Sequence, residues 1–402
     1  MSAARGRERF DVVVVGGRIA GAAAAWALAP YVRDVLVLER AAPGAFWPQA
    51  ASWDRSCTLL WQELGLLDTV LGCGAPKLTG HVFRTLGTEV EYRYPREDEH
   101  CYRMSVAREV LDPALLSAAL GRGNVELRRP ATVTGLLYEG GRVAGVEYRD
   151  GRTARQALCD LVVLADGRVS RNADRLGAAP YATVPSPWTS LLHYCGPLEL
   201  DAGRGYYSRQ PGAMVVVVPC GPDSWCVSAS LHRELIERSG AAAVRTFAEV
   251  VRRDPLVGPA VSAAEPLSRV GGAGKLRLLR RPMAGPGWCL VGDSGYFLDP
   301  LTALGTRGAL TAVTLLRDRV AAAGGAAVPG LHTGLTARRD ALLDAGWQRT
   351  VRAVGGPDVP AEQLARARAL AADPAAALAA VRAQMDLAPV AGQAAGTPRK
   401  GL

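Results

Sequence analysis

The stretch Asp11–Leu28, DVVVVGGRIAGAAAAWAL, constrains the fold more than any other part of the chain. Val12 to Val15 form an unbroken β-branched run with no polar face, which suits a parallel strand buried on both sides. A glycine turn follows, and then an alanine-rich run long enough for a helix. Strand, glycine turn and helix in that order open a dinucleotide-binding βαβ unit. Gly16 permits the tight turn, and Gly21 lets the helix pack closely on the strand. The next β-run, VRDVLVLER, ends in Glu39, an acid placed where such folds hydrogen-bond a ribose hydroxyl. One position departs from the G-x-G-x-x-G spacing: Arg18 stands where a glycine normally lets the backbone meet the pyrophosphate. Arginine is compatible with the turn if its Cβ points outward, or if its guanidinium goes to the phosphates instead. The pattern indicates a dinucleotide without separating FAD from NAD.

The length of 402 residues implies more than one packed unit, and 49% apolar residues imply a globular protein. The net charge of +9 does not mark a nucleic-acid binder. Lysine occurs only at 77, 275 and 400, and the arginines are scattered, with no basic stretch interleaved with aromatics. An anionic cofactor is expected to absorb part of the charge. The cysteines form no C-x-x-C pair and no histidine cluster has ligand spacing, so free thiols and no metal are expected. No apolar run is long enough for a bilayer, and MSAARGRERF lacks a signal-peptide core. A cytoplasmic protein without stable membrane association is the expectation, and no protein-partner surface is identifiable.

Further along, Pro43, Gly44 and Pro48 mark a loop, and a helix is expected from about Cys57 to Leu71. HVFRTLGTEVEYRYP alternates as a strand and hairpin. MSVAREVLDPALLSAALGRG reads as a helix with a serine near its start, ending at Gly121 to Gly123. A three-stranded meander with Gly-Gly and Asp-Gly turns follows, then the buried strand LVVLADG. From about Tyr181 to Gly274 the texture is that of a second, antiparallel sheet, with a helix near Ala241 to Arg252. GWCLVGDSGYFLDPLTALGTRGALTAVTLLRDRVAAA returns to buried strand, loop and long helix, and AGQAAGTPRKGL reads as a disordered tail.

Three motifs thus stand in order: VVGGRIAG, LVVLADGRVSR and LVGDSGYFLDPLTALG. Together they resemble the single-component (class A) FAD-dependent monooxygenase superfamily, the flavoproteins with the p-hydroxybenzoate hydroxylase fold. Flavin halogenases and geranylgeranyl reductases share that fold. The stretch GPGWCLVGDSGYFLDPLTALGTRGAL is similar to an actinobacterial branch of FAD-dependent oxidoreductases that commonly carries arginine at the position of Arg18. The resemblance implies an α/β protein. A Rossmann-like FAD-binding domain, βαβ plus meander, would comprise residues 1–75, 101–180 and 275–330. An antiparallel-sheet substrate domain would comprise 76–100 and 181–274, followed by C-terminal helices over 331–390 and a tail over 391–402.

Carried over by residue, the resemblance implies non-covalent FAD with its pyrophosphate at Gly16, Gly17 and Gly21, and Arg18 either brings its guanidinium there or points to solvent. Glu39, with Arg40 beside it, would hold the adenosine ribose, and Arg108 would reach the FAD from the head of its helix. Asp166 and Gly167 are similar to the DG motif that touches both flavin and incoming NAD(P)H. Gly292 and Asp293 are similar to the GD motif, whose carboxylate takes the ribityl hydroxyls. Pro300, Gly305 and Thr306 would lie beside the isoalloxazine ring. A helix starting near Gly305 would aim unpaired N–H groups at N1–C2=O, where the reduced flavin is negative.

Substrate-facing candidates come from the middle sheet: His193, Tyr194, Tyr206, Tyr207, Arg209 and Trp225. Aromatics on strands usually pack. His193 and Tyr194 are preferred because the corresponding strand lines the substrate cavity in the family, and with Pro300 and Gly305 they form the expected catalytic set. The implied activity is NAD(P)H-dependent oxygenation of an aromatic or polyketide-like small molecule by O₂, through a flavin C4a-hydroperoxide. Alternatives are an alkene reductase of the geranylgeranyl type, a flavin halogenase and a non-catalytic, redox-responsive flavin-binding protein. The W-x-W-x-I-P stretch of halogenases and the Y-x-W-x-F-P stretch of the reductases are both missing.

Overall fold

The computed structural model describes residues 7–45, 49, 52–96, 98–239 and 242–386; the expected tail over 391–402 lies outside them. The valine run forms the strand Arg7–Val15. It pairs in parallel with Val35–Leu38 on one edge and Thr153–Leu164 on the other. Val125–Arg128 and Trp288–Leu290 extend the parallel sheet outward on the two sides. Alternate valines serve two cores, as a strand buried on both faces requires. Val12 and Val14 pack under the alanine-rich helix Ile19–Leu28, while Val13 and Val15 pack under the meander with Val146 and Tyr148. The helix Gly305–Ala323 lies alongside Ile19–Leu28 in the first of these cores, contributing Leu310, Val313 and Leu316.

The expected meander and buried strand are continuous. Thr153–Leu164 begins as an antiparallel partner of Arg142–Asp150 and runs on to the end of its parallel pairing with Arg7–Val15. Two other expectations change. The helix expected from Cys57 to Leu71 is broken into Arg55–Glu63 and Leu67–Leu71, because Gly65 adopts φ +70° and cannot continue a right-handed helix. The helix expected to open near Met104 begins instead at Arg108, since Met104–Ser105 is a short strand paired with Ser52–Trp53.

The middle sheet has seven strands. The hairpin Gly80–Thr85 and Thr88–Arg93 joins Arg204–Gln210 in parallel, and Ala213–Pro219, Trp225–His232, Trp188–Cys195 and Gly271–Ala273 follow antiparallel. The helix Ala243–Arg252 covers one face through Phe247 and Val251. The opposite face looks toward the parallel sheet. Helices Ala361–Ala372 and Pro374–Asp386 pack on the edge strand Thr88–Arg93.

The glycine turn is the tightest point of the fold. Gly16 has φ +102°, and a Cβ on Gly21 would lie 1.8 Å from the Gly16 carbonyl oxygen. Gly21→Ala must therefore push the helix off the strand. Overpacking of this kind costs about 1–3 kcal/mol or more. Urea unfolding of the variant is expected to show a lower midpoint at unchanged slope; a wild-type midpoint would mean the turn relaxes freely.

Candidate functional site

Four parallel strands end at one place, as ligand sites in such sheets do. The residues just beyond them, Gly16, Glu39, Asp166 and Gly292, line a single deep cavity of about 2130 Å³ between the parallel sheet and the middle sheet. A pocket for one drug-sized molecule is about 300–1,000 Å³, so this one has room for a large cofactor and a second molecule. Arg18, Arg40, Arg108, Gly167, Asp293, Pro300, Gly305 and Thr306 line it as well. Gly17 and Gly21 do not, being spent on the turn itself: Gly17 packs under Glu39, and Gly21 on Gly16.

The cavity is built to receive negative charge. The helices Ile19–Leu28 and Gly305–Ala323 both start at it, and neither has a side-chain cap or an acid in its first turn. Their first N–H groups and positive dipole ends are left for a ligand. Arg18 is the N-cap of the first helix, in ordinary extended geometry (φ −84°, ψ −168°), so the arginine is unstrained there. Glu39 ties the turn together, accepting from Gly17 N at 2.6 Å and Ala41 N at 2.7 Å.

Two acids in the wall lack what a ligand's hydroxyl or N–H groups supply. Asp166 Oδ2 accepts from Asn172 Nδ2 at 2.9 Å, while Oδ1 is buried without a partner. Burial pushes the Asp166 pKa up. Burial likewise pushes Asp293 up to about 6, against the opposing pull of the Arg108 and Arg168 guanidiniums. Arg108 itself is held by Asp112 at 2.8 Å and by Gln49 Oε1 at 3.1 Å.

On the middle sheet, alternation separates the expected substrate residues. Tyr207 and Arg209 line the cavity. Tyr206 and Trp225 point the other way, into the core beneath Ala243–Arg252. His193 also belongs to that outer side: its ring meets Phe247 edge-on at 5.9 Å, and Nδ1 donates to the Tyr194 carbonyl at 3.2 Å. Tyr194 is on the inner side but is a clip and not part of the lining. Its hydroxyl donates to Gln49 O at 3.1 Å and accepts from Arg108 N at 3.3 Å, pinning the start of the Arg108–Leu120 helix. Of the expected catalytic set, His193 and Tyr194 therefore do not line the cavity, whereas Pro300 and Gly305 do.

Other residues make the inner wall. His81 stacks on Tyr92 at 4.5 Å and shares a 2.7 Å hydrogen bond between Nδ1 and the Tyr94 hydroxyl. Phe83 stacks on Tyr207 at 6.0 Å, and Arg103 Nη1 donates to the Tyr207 hydroxyl at 3.3 Å. Burial holds His81 well below its ordinary pKa, so the imidazole is neutral. The strand pattern around HVF and EYRYP was visible in the sequence; that these rings face a cavity was not.

Residues 9–350 match the family model described as the FAD binding domain. The chain belongs to this family. It is 28% identical over 332 residues to squalene epoxidase 2, mitochondrial, of Arabidopsis thaliana, covering 77% of this chain and 53% of that protein, so it spans about half of that relative. It is 29% identical over 313 residues to digeranylgeranylglycerophospholipid reductase 1 of Methanopyrus kandleri, covering 75% and 77%. The solved structure of p-nitrophenol 4-monooxygenase PnpA from Pseudomonas putida DLL-E4 shares the fold, with TM-score 0.80 at 18% identity over 96% of this chain and 100% of that one.

The cavity of this FAD-binding-domain protein fits the cofactor on physical grounds. Uncapped helix starts suit phosphates and an electron-rich ring edge, and the unsatisfied acids suit hydroxyls and N–H groups. Among the described residues no helix is long and apolar enough to cross a membrane, and no group of acids, histidines and cysteines could hold a metal ion.

The clip gives a test of its own. Tyr194→Phe removes both hydroxyl contacts and is expected to cost about 1 kcal/mol of stability, read as a lower thermal midpoint, with flavin chemistry retained. A loss of flavin reduction or turnover without loss of stability would make Tyr194 a reacting group.

Proposed function

We propose that the protein is an NAD(P)H-dependent monooxygenase that oxygenates a small aromatic or polyketide-like molecule with O₂. The observation that carries this reading is the inner wall of the cavity. Stacked rings (His81 on Tyr92, Phe83 on Tyr207) face a space too large for FAD alone. A planar substrate fits against such a wall. The wall is mixed, with His81, Arg103 and Tyr207 beside Phe83, Leu192, Met214 and Val216.

In this reading, bound FAD supplies hydride uptake from NAD(P)H and delivery of one oxygen atom from O₂, the other leaving as water. The chain's residues position and polarise. The N-terminus of Ile19–Leu28, with Gly16, Gly17 and Gly21 shaping it and Arg18 beside it, takes the pyrophosphate. Glu39 and Arg40 flank the adenosine ribose. Asp293, beside Gly292 and near Arg108, takes the ribityl hydroxyls, while Asp166 and Gly167 face the ring and the incoming nicotinamide. Pro300, Gly305 and Thr306 bring the second helix start to the pyrimidine edge. His81, neutral and bonded to Tyr94, offers a hydrogen bond to a substrate hydroxyl, while burial and the Arg103 charge disfavour its protonated form.

Mass spectrometry of the product formed under ¹⁸O₂ with NAD(P)H tests the reading. One ¹⁸O per product is expected. A hydrogenated product without label, a halogenated one, or flavin that NAD(P)H never reduces would each overturn it.

Two further outcomes concern the cofactor. Free Asp293 is protonated below about pH 6 and ionised above it. Hydroxyl donors favour the ionised form, so FAD binding is expected to weaken as pH falls below about 6, by up to about tenfold per unit, and to be flat above. Asp293→Asn should flatten the profile in apo-protein titrations. A wild-type profile flat from acid to neutral pH removes Asp293 from the ribityl chain.

For Arg18→Ala, FAD affinity is expected to drop by about 1–2 kcal/mol, with a smaller drop at high salt. Arg18→Gly should do less harm, because it restores the close backbone approach. Wild-type affinity in both variants would place the guanidinium away from the phosphates.

A further inference from the structure

The cavity extends well beyond the flavin-facing loop, and the two edges of the middle sheet mark how far. At the edge Gly271–Ala273, the side chains of Leu276, Leu279 and Phe297 form one apolar cluster against Ala273, so the loop that carries Pro300 begins there. At the opposite edge, Thr88–Arg93, the C-terminal helices lie on the strand: Val90, Ala367 and Ala377 form one cluster, with Tyr92 and Leu370 packed against it. The sheet has seven strands, so its edges are six spacings apart, about 29 Å at about 4.8 Å each. Ala273 and Tyr92 at the two edges line the cavity, and so do all five strands between, through Leu192, Ser228, Val216, Tyr207 and His81. A single ring beside the flavin loop spans roughly one or two such spacings.

A second wall runs the same way. Leu304 of the flavin loop lies on the helix Leu335–Ala353 at Gly346, where a Cβ would come 3.3 Å from Leu304 Cδ1, and Thr302 Oγ1 shares a 2.8 Å hydrogen bond with Thr350 Oγ1. From Gly346 to Ala353, both in the cavity wall, that helix rises about 10 Å. The linker after it is fixed to the middle sheet: Pro357 O accepts from Gly212 N at 2.8 Å and from Arg209 Nη2 at 3.4 Å. The helix Ala361–Ala372 then continues the wall with Gln363, Ala367 and Leu370, which share one face at helical spacing. Gln363 and Leu370 are half-buried and Ala367 is buried, whereas Glu362 and Arg366 at the rim are exposed. The nicotinamide belongs to the other end. Asp166 and Gly167, which the reading above gives to it, adjoin the flavin loop, and Arg168 Cζ lies 5.7 Å from the centroid of the Phe297 ring.

Resting on the reading of a ring substrate oxygenated at the flavin, we propose that the substrate is elongated. Its reacting ring lies by the loop that carries Pro300 and Gly305, and a mainly apolar extension runs across the middle sheet to the helix Ala361–Ala372. Gln363 and Leu370 are then specificity-determining residues, meeting the end of the substrate remote from the reacting ring. Leu370 offers apolar contact, and the Gln363 amide offers both donors and an acceptor. Each apolar group of the extension that leaves water along Leu192, Val216 and Leu370 strengthens binding, so the wall favours length. Neither Gln363 nor Leu370 belongs to the residues given to the cofactor, so they select the substrate without taking part in the flavin chemistry.

The test titrates oxidised holoenzyme with 4-ethylphenol, 4-butylphenol and 4-octylphenol, which share one ring and differ in length, following the visible flavin spectrum. The octyl compound is expected to bind about tenfold or more tightly than the ethyl compound. Leu370→Trp, which fills the far end, is expected to remove that gain while leaving 4-ethylphenol affinity and FAD content unchanged, and Leu370→Met to keep it. Gln363→Trp serves as the second variant should Leu370→Trp fail to fold or to load FAD. The proposal is overturned if the three phenols bind alike, or if the gain survives in the tryptophan variants. It is overturned as well if those variants raise the NAD(P)H concentration needed for flavin reduction and leave the gain intact, which would give this space to the nicotinamide. No product is measured, so failure here is distinct from failure of the oxygenation reading, which the ¹⁸O₂ experiment decides.

Discussion

At Gly21 the helix Ile19–Leu28 comes so near the strand Arg7–Val15 that a methyl group would lie 1.8 Å from the Gly16 carbonyl oxygen. That approach decides where the helix points. Its first turn opens at the C-terminal ends of the parallel strands, beside the residues that follow each of them. The small side chains along the helix serve the same end: Ala22 to Ala25 are fully buried, and larger residues would hold helix and sheet apart. The long helix Gly305–Ala323 packs against this pair, so its own uncapped start reaches the same cavity.

The electrostatics follow from the packing. Two positive helix ends and a set of arginines share one cavity with acids that burial keeps reluctant to ionise. Buried donors and acceptors without protein partners are unfavourable. A cofactor with phosphates, hydroxyls and an electron-rich ring edge satisfies both signs at once. The middle sheet closes the space with aromatic rings, which exclude water from the reacting side without adding charge.

How much of this was readable in advance depended on how local each feature is. The glycine turn, the run of valines and the acid at Glu39 lie within one short stretch, and their spacing alone implied the βαβ unit. The DG and GD motifs were readable because each follows a buried strand. Alternation along Trp188–Cys195 was readable too, but not which side is inward, and a one-residue difference in that choice moves every side chain to the other face. His193 thereby meets Phe247 and not the cavity. The break at Gly65 was hidden because a glycine inside an apolar helical pattern looks tolerable until its φ is known. His81, Arg103 and Tyr207 come together from distant parts of the chain, and no spacing connects them.

The central claim is that the helix start behind Gly16 holds a dinucleotide phosphate, so the adenylate half of FAD must contribute much of the binding. Calorimetric titration of apo-protein with FAD, FMN and riboflavin measures this directly. Riboflavin, which leaves that helix start and Arg18 without a phosphate, is expected to bind at least about tenfold more weakly than FAD, the loss of one to two charge-assisted hydrogen bonds at about 1.5–3 kcal/mol each. FMN, which lacks the adenylate, should also fall well short of FAD. Equal affinity for FAD and riboflavin would contradict the account.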